Sequence, residues 1–183
     1  MRSNAAIRRA SPADGRAIAR VHVETWRSTY AGILPDRVMI DMRVEEKAAQ
    51  WRKLISRQTR REVTLVAIAP GAGIVGFASG GPAAGAQLPY EGEIHTLYVL
   101  PDFQERGIGR LLLRGCFGAL HARGMNSAFL WVLAQNPSRF FYEAMGGKRV
   151  GERDETLWGV VVQEAAYAWP DLAAYARTVK RDG

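Results

Sequence analysis

Cysteine and histidine are scarce in this sequence, and long apolar runs are missing. The 183 residues include one cysteine, Cys116, and three histidines. A single cysteine excludes an intramolecular disulfide and suits a reducing compartment, so we expect a cytoplasmic location. So few histidines and cysteines offer no cluster at metal-ligand spacing, and we expect no metal. No run approaches the ~18 apolar residues of a membrane span, and no signal peptide is evident behind Met1, so we expect no membrane partner.

Basic residues are absent from one long stretch, although the formal net charge is +7. No Lys or Arg occurs from Val63 to Glu105, whereas Glu91, Glu93 and Asp102 do. The basic residues elsewhere are scattered and accompany no nucleic-acid motif. A nucleic-acid-binding module would therefore rest on charge alone, and we expect no nucleic-acid partner. An acidic segment beside a basic loop suits a cationic substrate that meets a polyphosphate cofactor.

The most informative stretch runs from Glu93 to Gly124. Residues 93–99 are rich in β-branched, aromatic and aliphatic side chains and predict a strand. A glycine-containing turn follows, and apolar or small residues then recur with helical spacing from Ile108 to Leu120. A turn between a strand and a helix presents bare N–H groups and a positive dipole end, so it predicts an anion site, most simply for a phosphate.

Two nucleotide-binding motifs do not fit this turn. The dinucleotide fingerprint requires a third glycine where this chain has Leu112. A P-loop requires Gly-Lys-Ser/Thr, but Gly109 is followed by Arg110 and Leu111. Both motifs are excluded.

Gln-x-x-Gly-x-Gly at Gln104–Gly109, between a strand and a long helix, resembles the acetyl-CoA motif of the GNAT N-acetyltransferase superfamily. Two later segments are similar to the family in the same order. Ser127–Val132 resembles its next strand, and Asn136 followed by Phe141–Gly147 resembles its Asn…Tyr-x-x-x-Gly segment. The resemblance covers roughly residues 5–169.

The resemblance implies an α/β (α+β) fold with a mixed, mostly antiparallel sheet of about seven strands flanked by helices. We expect a single domain over residues 1–183, with a core at about 5–169 and a peripheral C-terminal segment at 170–183. The residue patterns place a closing hairpin at 148–154 and 156–167, with its turn at Asp154-Glu155. They also place a terminal helix at 171–180 and a long loop at 81–92.

The resemblance also implies which residues bind acetyl-CoA. Backbone groups at the strand end would hold the pantetheine arm as an added strand, the glycine turn would hold the pyrophosphate, and an asparagine would hold pantetheine amides. These residues are Leu97, Tyr98, Val99, Gln104, Glu105, Arg106, Gly107, Ile108, Gly109, Arg110, Asn136 and Tyr142. For Asn136, a turn-forming role before Pro137 is the alternative.

Two residues resemble the catalytic groups of the family. Tyr142 stands at the position of the general acid that protonates the leaving thiolate. The alternative interpretation is that Tyr142 packs in the core and has no catalytic role. Glu93 stands at the position of the catalytic glutamate found in some members, and its alternatives are His95 or water as the base. Strict strand alternation predicts a shared face for Glu93, His95, Leu97 and Val99.

The acceptor site is expected at the aromatic residues Trp26, Tyr30 and Tyr90, although the first two could equally belong to the core. The predicted reaction is direct transfer of an acetyl group to a primary amine of a small molecule or peptide. A catalytically silent acyl-CoA-binding sensor of the same fold is the alternative. The sequence leaves a homodimer open.

Overall fold

A seven-stranded sheet with helices on both faces forms the protein. The computed structural model describes residues 4–85, 88–157 and 159–178. The strands are β1 (Ala6–Arg9), β2 (Val63–Ala69), β3 (Gly73–Pro82), β4 (Gly92–Val99), β5 (Ala128–Leu133), β6 (Lys148–Leu157) and β7 (Val160–Trp169). The helices are α1 (Gly15–Thr29), α2 (Asp36–Asp41), α3 (Val44–Arg57), α4 (Ile108–His121), α5 (Arg139–Ala144) and α6 (Leu172–Thr178). Short 3-10 turns precede α1 at Pro12–Asp14 and α4 at Pro101–Phe103.

The strand order is β1-β2-β3-β4-β5-β7-β6. Every neighbouring pair is antiparallel except β4 and β5, which run parallel. The predicted fold class, a mixed and mostly antiparallel sheet of about seven strands with flanking helices, is confirmed. The single parallel pair matters because α4 forms the crossover between β4 and β5.

The two faces of the sheet carry different helices. A Cβ on Gly76 of β3 would meet Leu112 of α4 at 3.2 Å. The next residue, Phe77, points the other way and packs its ring 4.9 Å from that of Trp51 in α3. Helix α4 therefore covers one face, and α1 with α3 covers the other.

A β-bulge interrupts β4. Ser79 of β3 pairs with Thr96. The next residue of β3, Gly80, pairs with Ile94, so His95 is an extra residue opposite β3. Because of this extra residue, the side chains that follow the bulge point to the opposite face of the sheet from the one that simple alternation predicts.

The predicted shared face of Glu93, His95, Leu97 and Val99 is therefore wrong. Glu93 pairs with Gly81, and Thr96 pairs with Ser79. Because Gly81 and Ser79 are two residues apart in β3, Glu93 and Thr96 lie on one face, and Leu97 lies on the other. Glu93 thus lies on the α1 side of the sheet, where Tyr98 also lies.

The turn of the closing hairpin differs from the prediction as well. Leu157 pairs with Val160, so β6 continues to Leu157, and Asp154 and Glu155 lie inside this strand. Gly159 has φ of 77°, which a tight turn requires. Aspartate is common in turns, but here Asp154 and Glu155 belong to a partly exposed strand at the edge of the sheet.

The remaining boundaries differ by a few residues. The predicted loop at 81–92 begins later, because β3 extends to Pro82, and its residues 86–87 lie outside the described part of the chain. The predicted terminal helix is observed as α6, and its expected last residues, 179–180, also lie outside that part.

Among the described residues, no helix is both long and apolar enough to cross a bilayer. In the same residues, no group of three or more His, Cys, Asp or Glu side chains could hold a metal ion.

Candidate active site

A cleft opens where the two parallel strands separate. β4 and β5 pair only through Gly92 with Ala128 and Glu93 with Phe129. Beyond these pairs the strands diverge, and a cavity of about 650 Å³ lies between them. Its wall includes residues 94–99 of β4 and 130–133 of β5, together with residues from the end of α1, the start of α4 and α5. The separated edge of β4 can accept an added strand-like ligand on this side.

The turn before α4 has backbone conformations that only a few residues adopt readily. Gly107 precedes the helix with φ of 80°, and Glu105 has φ of 59°, the one non-glycine residue with positive φ in the described chain. Leu111 N–H donates to the Gly107 carbonyl at 3.0 Å, and this is the first backbone bond of the helix. The N–H groups of residues 108–110 precede it and are available to a ligand. A left-handed turn followed by free N–H groups at a helix start suits a phosphate.

Side chains around this turn hold it in place. Gln104 Nε2 donates to the Val99 carbonyl at 2.9 Å, which ties the turn to the end of β4. A Cβ on Gly109 would come within 3.3 Å of the Phe141 ring, so α5 packs directly on the first turn of α4. The glycine at this position permits that close approach.

The other predicted cofactor residues take different positions around the turn. Ile108 is buried in the core, and Leu97 packs against the same core. Glu105 and Arg110 line the cavity, whereas Arg106 lies outside the wall with its guanidinium 5.2 Å from the centre of the Phe103 ring. The side chains of Ile108 and Leu97 therefore serve packing, and only their backbone is suited to a ligand.

Three tyrosines and an asparagine meet on the cavity wall. Asn136 Nδ2 donates to the Tyr30 hydroxyl at 3.4 Å, and its Oδ1 accepts from the Ser138 N–H at 2.9 Å. Asn136 thus forms the turn before α5 and also faces the cavity. Tyr142 and Tyr98 complete the group, and both line the same cavity.

Burial raises the pKa of each of these tyrosines. Desolvation is the main cause for Tyr142, with the nearby Tyr30 adding to it. Burial also raises the pKa of Tyr98 well above its ordinary value, again with Tyr30 as the second cause. For Tyr30, burial raises the pKa, and the hydrogen bond from Asn136 offsets part of the effect. All three hydroxyls therefore keep their protons at neutral pH and can donate hydrogen bonds.

Aromatic rings line the end of the cavity next to α1. Trp26 and Tyr30 lie with ring centroids 4.8 Å apart, and both belong to the wall. Tyr98 stacks on the buried His22 with centroids 5.3 Å apart. Tyr90 does not reach this wall, because it lies against Phe129 with centroids 6.0 Å apart. Of the three residues expected to bind the acceptor, the structure brings Trp26 and Tyr30 together and leaves Tyr90 apart.

The two candidate bases lie at the edge of the cavity. His95, the bulge residue, is part of the wall. Glu93 lies just before the wall begins at Ile94, on the same face of the sheet as Thr96. A proton from the cavity would reach Glu93 only through an intervening group or water.

The wall residues that sequence reasoning missed include Glu164 of β7 and Trp131 of β5. Trp131 lies within the family-like segment Ser127–Val132, whereas Glu164 lies outside all of these segments, and the pairing of β5 with β7 brings the two residues to the cavity. One signal was available: Gln163 and Glu164 are the two polar interruptions in the otherwise apolar and aromatic strand Val160–Trp169.

Comparison with known proteins agrees with this geometry. The Acetyltransferase (GNAT) family matches residues 22–147. The chain belongs to the GNAT acetyltransferase family. As a member it is an N-acetyltransferase, and its cofactor is acetyl-CoA.

Several GNAT relatives are similar over nearly the whole chain. An uncharacterized N-acetyltransferase of Bacillus subtilis, YuaI, is 36% identical over 175 residues, which cover 96% of this chain and 98% of YuaI. The PaiA N-acetyltransferase of Thermoplasma acidophilum, solved in complex with coenzyme A, has a TM-score of 0.65 and 24% identity, covering 88% of this chain and 98% of its own. YncA of Salmonella typhimurium, solved with acetyl-CoA, has a TM-score of 0.67 and 21% identity, and the match covers 93% of this chain and 95% of YncA. The structural likenesses show the GNAT fold.

Proposed function

We propose that this GNAT enzyme transfers an acetyl group directly from acetyl-CoA to a primary amine of a small molecule or peptide. Acetyl-CoA supplies the thioester, whose carbon–sulfur bond is exchanged for a carbon–nitrogen bond as the amine loses a proton and the thiol leaves. The observation that carries the proposal is the convergence of three features on one cavity. These are the free N–H groups in the first turn of α4, the edge of β4 that is separated from β5, and the buried hydroxyl of Tyr142.

In this proposal the cofactor is bound chiefly by backbone groups. The N–H groups of residues 108–110 face the pyrophosphate, and Arg110 adds a positive charge at the same place. The edge of β4 that lacks a neighbouring strand at Leu97–Val99 binds the pantetheine arm, and Asn136 contributes its amide. Arg106 stays a predicted phosphate ligand, since its side chain has to leave the Phe103 ring to reach the cavity.

Tyr142 is the proposed general acid. Its raised pKa keeps the hydroxyl protonated at the pH at which an amine is acetylated, so it can donate to a departing thiolate. Tyr30 and Asn136 hydrogen-bond to each other beside it and fix the shape of this part of the wall.

The base is proposed to be Glu93, acting through water, with His95 or water alone as the alternatives. The Glu93→Gln variant should lose most rate at low pH, where the amine is mostly protonated, and should approach the wild type as pH nears the pKa of the amine. A pH–rate profile parallel to that of the wild type would leave water as the base.

A thiol-release assay with acetyl-CoA and a panel of amines tests the proposed function. The panel should contain alkylamines, diamines, amino acids and short peptides, and mass spectrometry should detect one added acetyl group on the acceptor. Release that depends on an amine supports direct transfer. CoA binding without release for any amine would favour a silent acyl-CoA sensor instead.

Other features of the proposal concern the molecule as a whole. We propose one domain for residues 1–183, a cytoplasmic location and no nucleic-acid or membrane partner. The scattered basic residues and the single buried cysteine support these points. Binding to nucleic acid would appear as affinity that falls steeply with salt, and sedimentation would test for a homodimer.

A further inference from the structure

Glu164 and Trp131 lie together on the α1 side of the sheet. They border the end of the cavity at which the acceptor is expected to bind, which we call the acceptor end. Glu164 pairs with Leu133, and Trp131 pairs with Ala166. Because Leu133 and Trp131 are two residues apart in β5, and Glu164 and Ala166 are two apart in β7, these side chains share one face. Both residues line the cavity, and Leu34 and Leu157 form apolar wall beside them.

Glu164 is the one charged side chain of the wall away from the α4 turn. The other charged wall residues are Glu105 and Arg110, which flank the proposed phosphate site, and His95 is the wall's one histidine. The Glu164 side chain is 12% exposed, so it is shielded from bulk water while it borders the cavity. A carboxylate in such a place interacts strongly with a cation that enters.

The protein already binds one of its own cations at this carboxylate. Arg153 of β6 donates from Nε to Glu164 Oε2 at 2.8 Å, and its Nη2 lies 2.8 Å from the same oxygen. The guanidinium carbon of Arg153 lies 4.2 Å from the centre of the Trp131 ring. The pair of Trp131 and Glu164 thus provides both elements of a cation site, an aromatic face and a carboxylate.

The charge on this part of the sheet is not balanced by Arg153 alone. Arg153 Nη2 also lies 3.5 Å from Glu155, so one guanidinium faces two carboxylates. Both contacts with Glu164 fall on Oε2, and Oε1 is the oxygen left for a ligand. Glu155 therefore competes with Glu164 for the single positive charge of Arg153.

We propose that Glu164, through Oε1, binds a second cationic group of the acceptor beside Arg153 and Trp131, so that the enzyme prefers amines carrying another ammonium or guanidinium group. The inference rests on the proposed transfer to a primary amine and adds the class of acceptor. Glu164 is proposed to form an ion pair with the second cation of the acceptor and not with the reacting amine. A carboxylate bound to the reacting ammonium would stabilise its protonated form, which cannot attack.

Matched acceptors test this preference. Cadaverine and n-hexylamine have equal numbers of heavy atoms and differ by an ammonium in place of a terminal methyl group. For the wild type we expect kcat/KM, measured by thiol release, to be roughly ten- to a hundredfold higher for cadaverine, as a charge-assisted hydrogen bond provides. In Glu164→Gln, which keeps the shape of the side chain, this ratio should fall at least tenfold, mainly through KM for cadaverine.

Glu155→Gln is the matched control. It removes the other carboxylate near Arg153, but Glu155 is not part of the cavity wall. The cadaverine preference should survive in this variant. Thermal unfolding of both variants checks that they are folded at the assay temperature.

Three outcomes would overturn the inference. The first is a wild type without preference for cadaverine, and the second is a Glu164→Gln variant that keeps the preference. The third is a Glu164→Gln variant that loses kcat equally for both amines and changes the pH–rate profile, which would assign Glu164 to proton transfer.

Calorimetry separates this inference from the proposed function. Cadaverine and n-hexylamine can be titrated into the wild type and both variants in the presence of saturating CoA. A Glu164-dependent preference in binding without any turnover supports the cation site and rejects the transferase reaction with these amines. Turnover of both amines without a preference for cadaverine supports the transferase reaction and rejects the cation site.

Discussion

Tyr142 is the residue on which the proposed chemistry depends most. Its neighbours Phe140 and Phe141 have no hydroxyl, and Phe140 is exposed while Tyr142 is buried on the cavity wall. Its hydroxyl belongs to a group with Tyr30 and Tyr98, in which burial raises the pKa of each member. A protonated hydroxyl is less costly to bury at this position than a charged donor would be, because neutral groups are desolvated more easily than charged ones.

The variant Tyr142→Phe keeps the ring and removes only the donor. Turnover should fall roughly ten- to a thousandfold, because the lost hydrogen bond belongs to the transition state. CoA affinity, measured by calorimetry, should stay nearly unchanged. Wild-type turnover in this variant would remove the acid assignment and leave Tyr142 as a core residue.

At the scale of an element, the residue that precedes α4 has a backbone conformation that glycine adopts far more readily than other residues. Gly107 has φ of 80°, and a Cβ there would meet nothing within 4 Å. The penalty for a larger residue is therefore conformational and not a clash. A change of the local backbone would redirect the N–H groups that are proposed to hold the pyrophosphate.

Gly107→Ala should lower CoA affinity at least tenfold and cost about 1 kcal/mol of unfolding free energy. The matched control is Gly118→Ala, at an exposed position of the same helix with no positive φ and no neighbour within 4 Å. That variant should gain up to about 1 kcal/mol and bind CoA normally. Calorimetry and urea unfolding measure both quantities, and equal CoA affinity in the two variants would argue against the proposed pyrophosphate site.

His22 joins α1 to α3. Its Nδ1 accepts a hydrogen bond from Trp51 Nε1 at 3.1 Å, and its ring is buried among aromatic residues. Burial, with Lys47 as a second cause, lowers the pKa of His22 from 6.5 to about 4. The folded state therefore holds this histidine neutral.

Acid should destabilise the protein through His22. The unfolded state binds a proton at His22 more readily than the folded state does. The contribution of neutral His22 to the free energy of unfolding is therefore complete above about pH 6.5 and declines as pH falls toward about 4. Between these limits we expect the wild type to lose about 2 kcal/mol more than a His22→Gln variant, measured by urea unfolding at several pH values. His121→Gln, at an exposed histidine, should keep the wild-type dependence.

At the scale of the whole molecule, the sheet is well paired everywhere except at its centre. β6 and β7 pair over nine positions, whereas β4 and β5 pair over two. A ligand that adds to the open edge of β4 would complete the middle of the sheet. Binding and overall stability should therefore be coupled.

CoA at about a hundredfold excess over its dissociation constant should add about 2.7 kcal/mol of stability, which corresponds to a rise in Tm of roughly 5–10 °C. Hydrogen exchange should slow at Ile94–Val99 in β4 more than in β1 or β2. A shift in Tm with uniform protection over all strands would contradict binding at the open edge.

The local sequence pattern was sufficient to predict the strand, turn and helices that form the proposed cofactor site. A strand, a glycine turn and a helix are specified by neighbouring residues, as are the turn at Asn136 and the helix that carries Tyr142. The hydrogen bonds and apolar faces involved form within a few tens of residues, so the sequence encodes them directly. The family resemblance implied the seven-stranded sheet, and the residue patterns misplaced its closing turn by a few residues.

Contacts between distant segments were decided only by the tertiary structure. The bulge at His95 depends on how β4 pairs with β3, and it places Glu93 on the face opposite Leu97. Glu164 and Trp131 meet at the cavity because β5 pairs with β7, and α1 brings Tyr30 to Asn136 across 106 positions of the chain. Strand register and long-range packing are properties of the assembled sheet, and no short window of residues contains them.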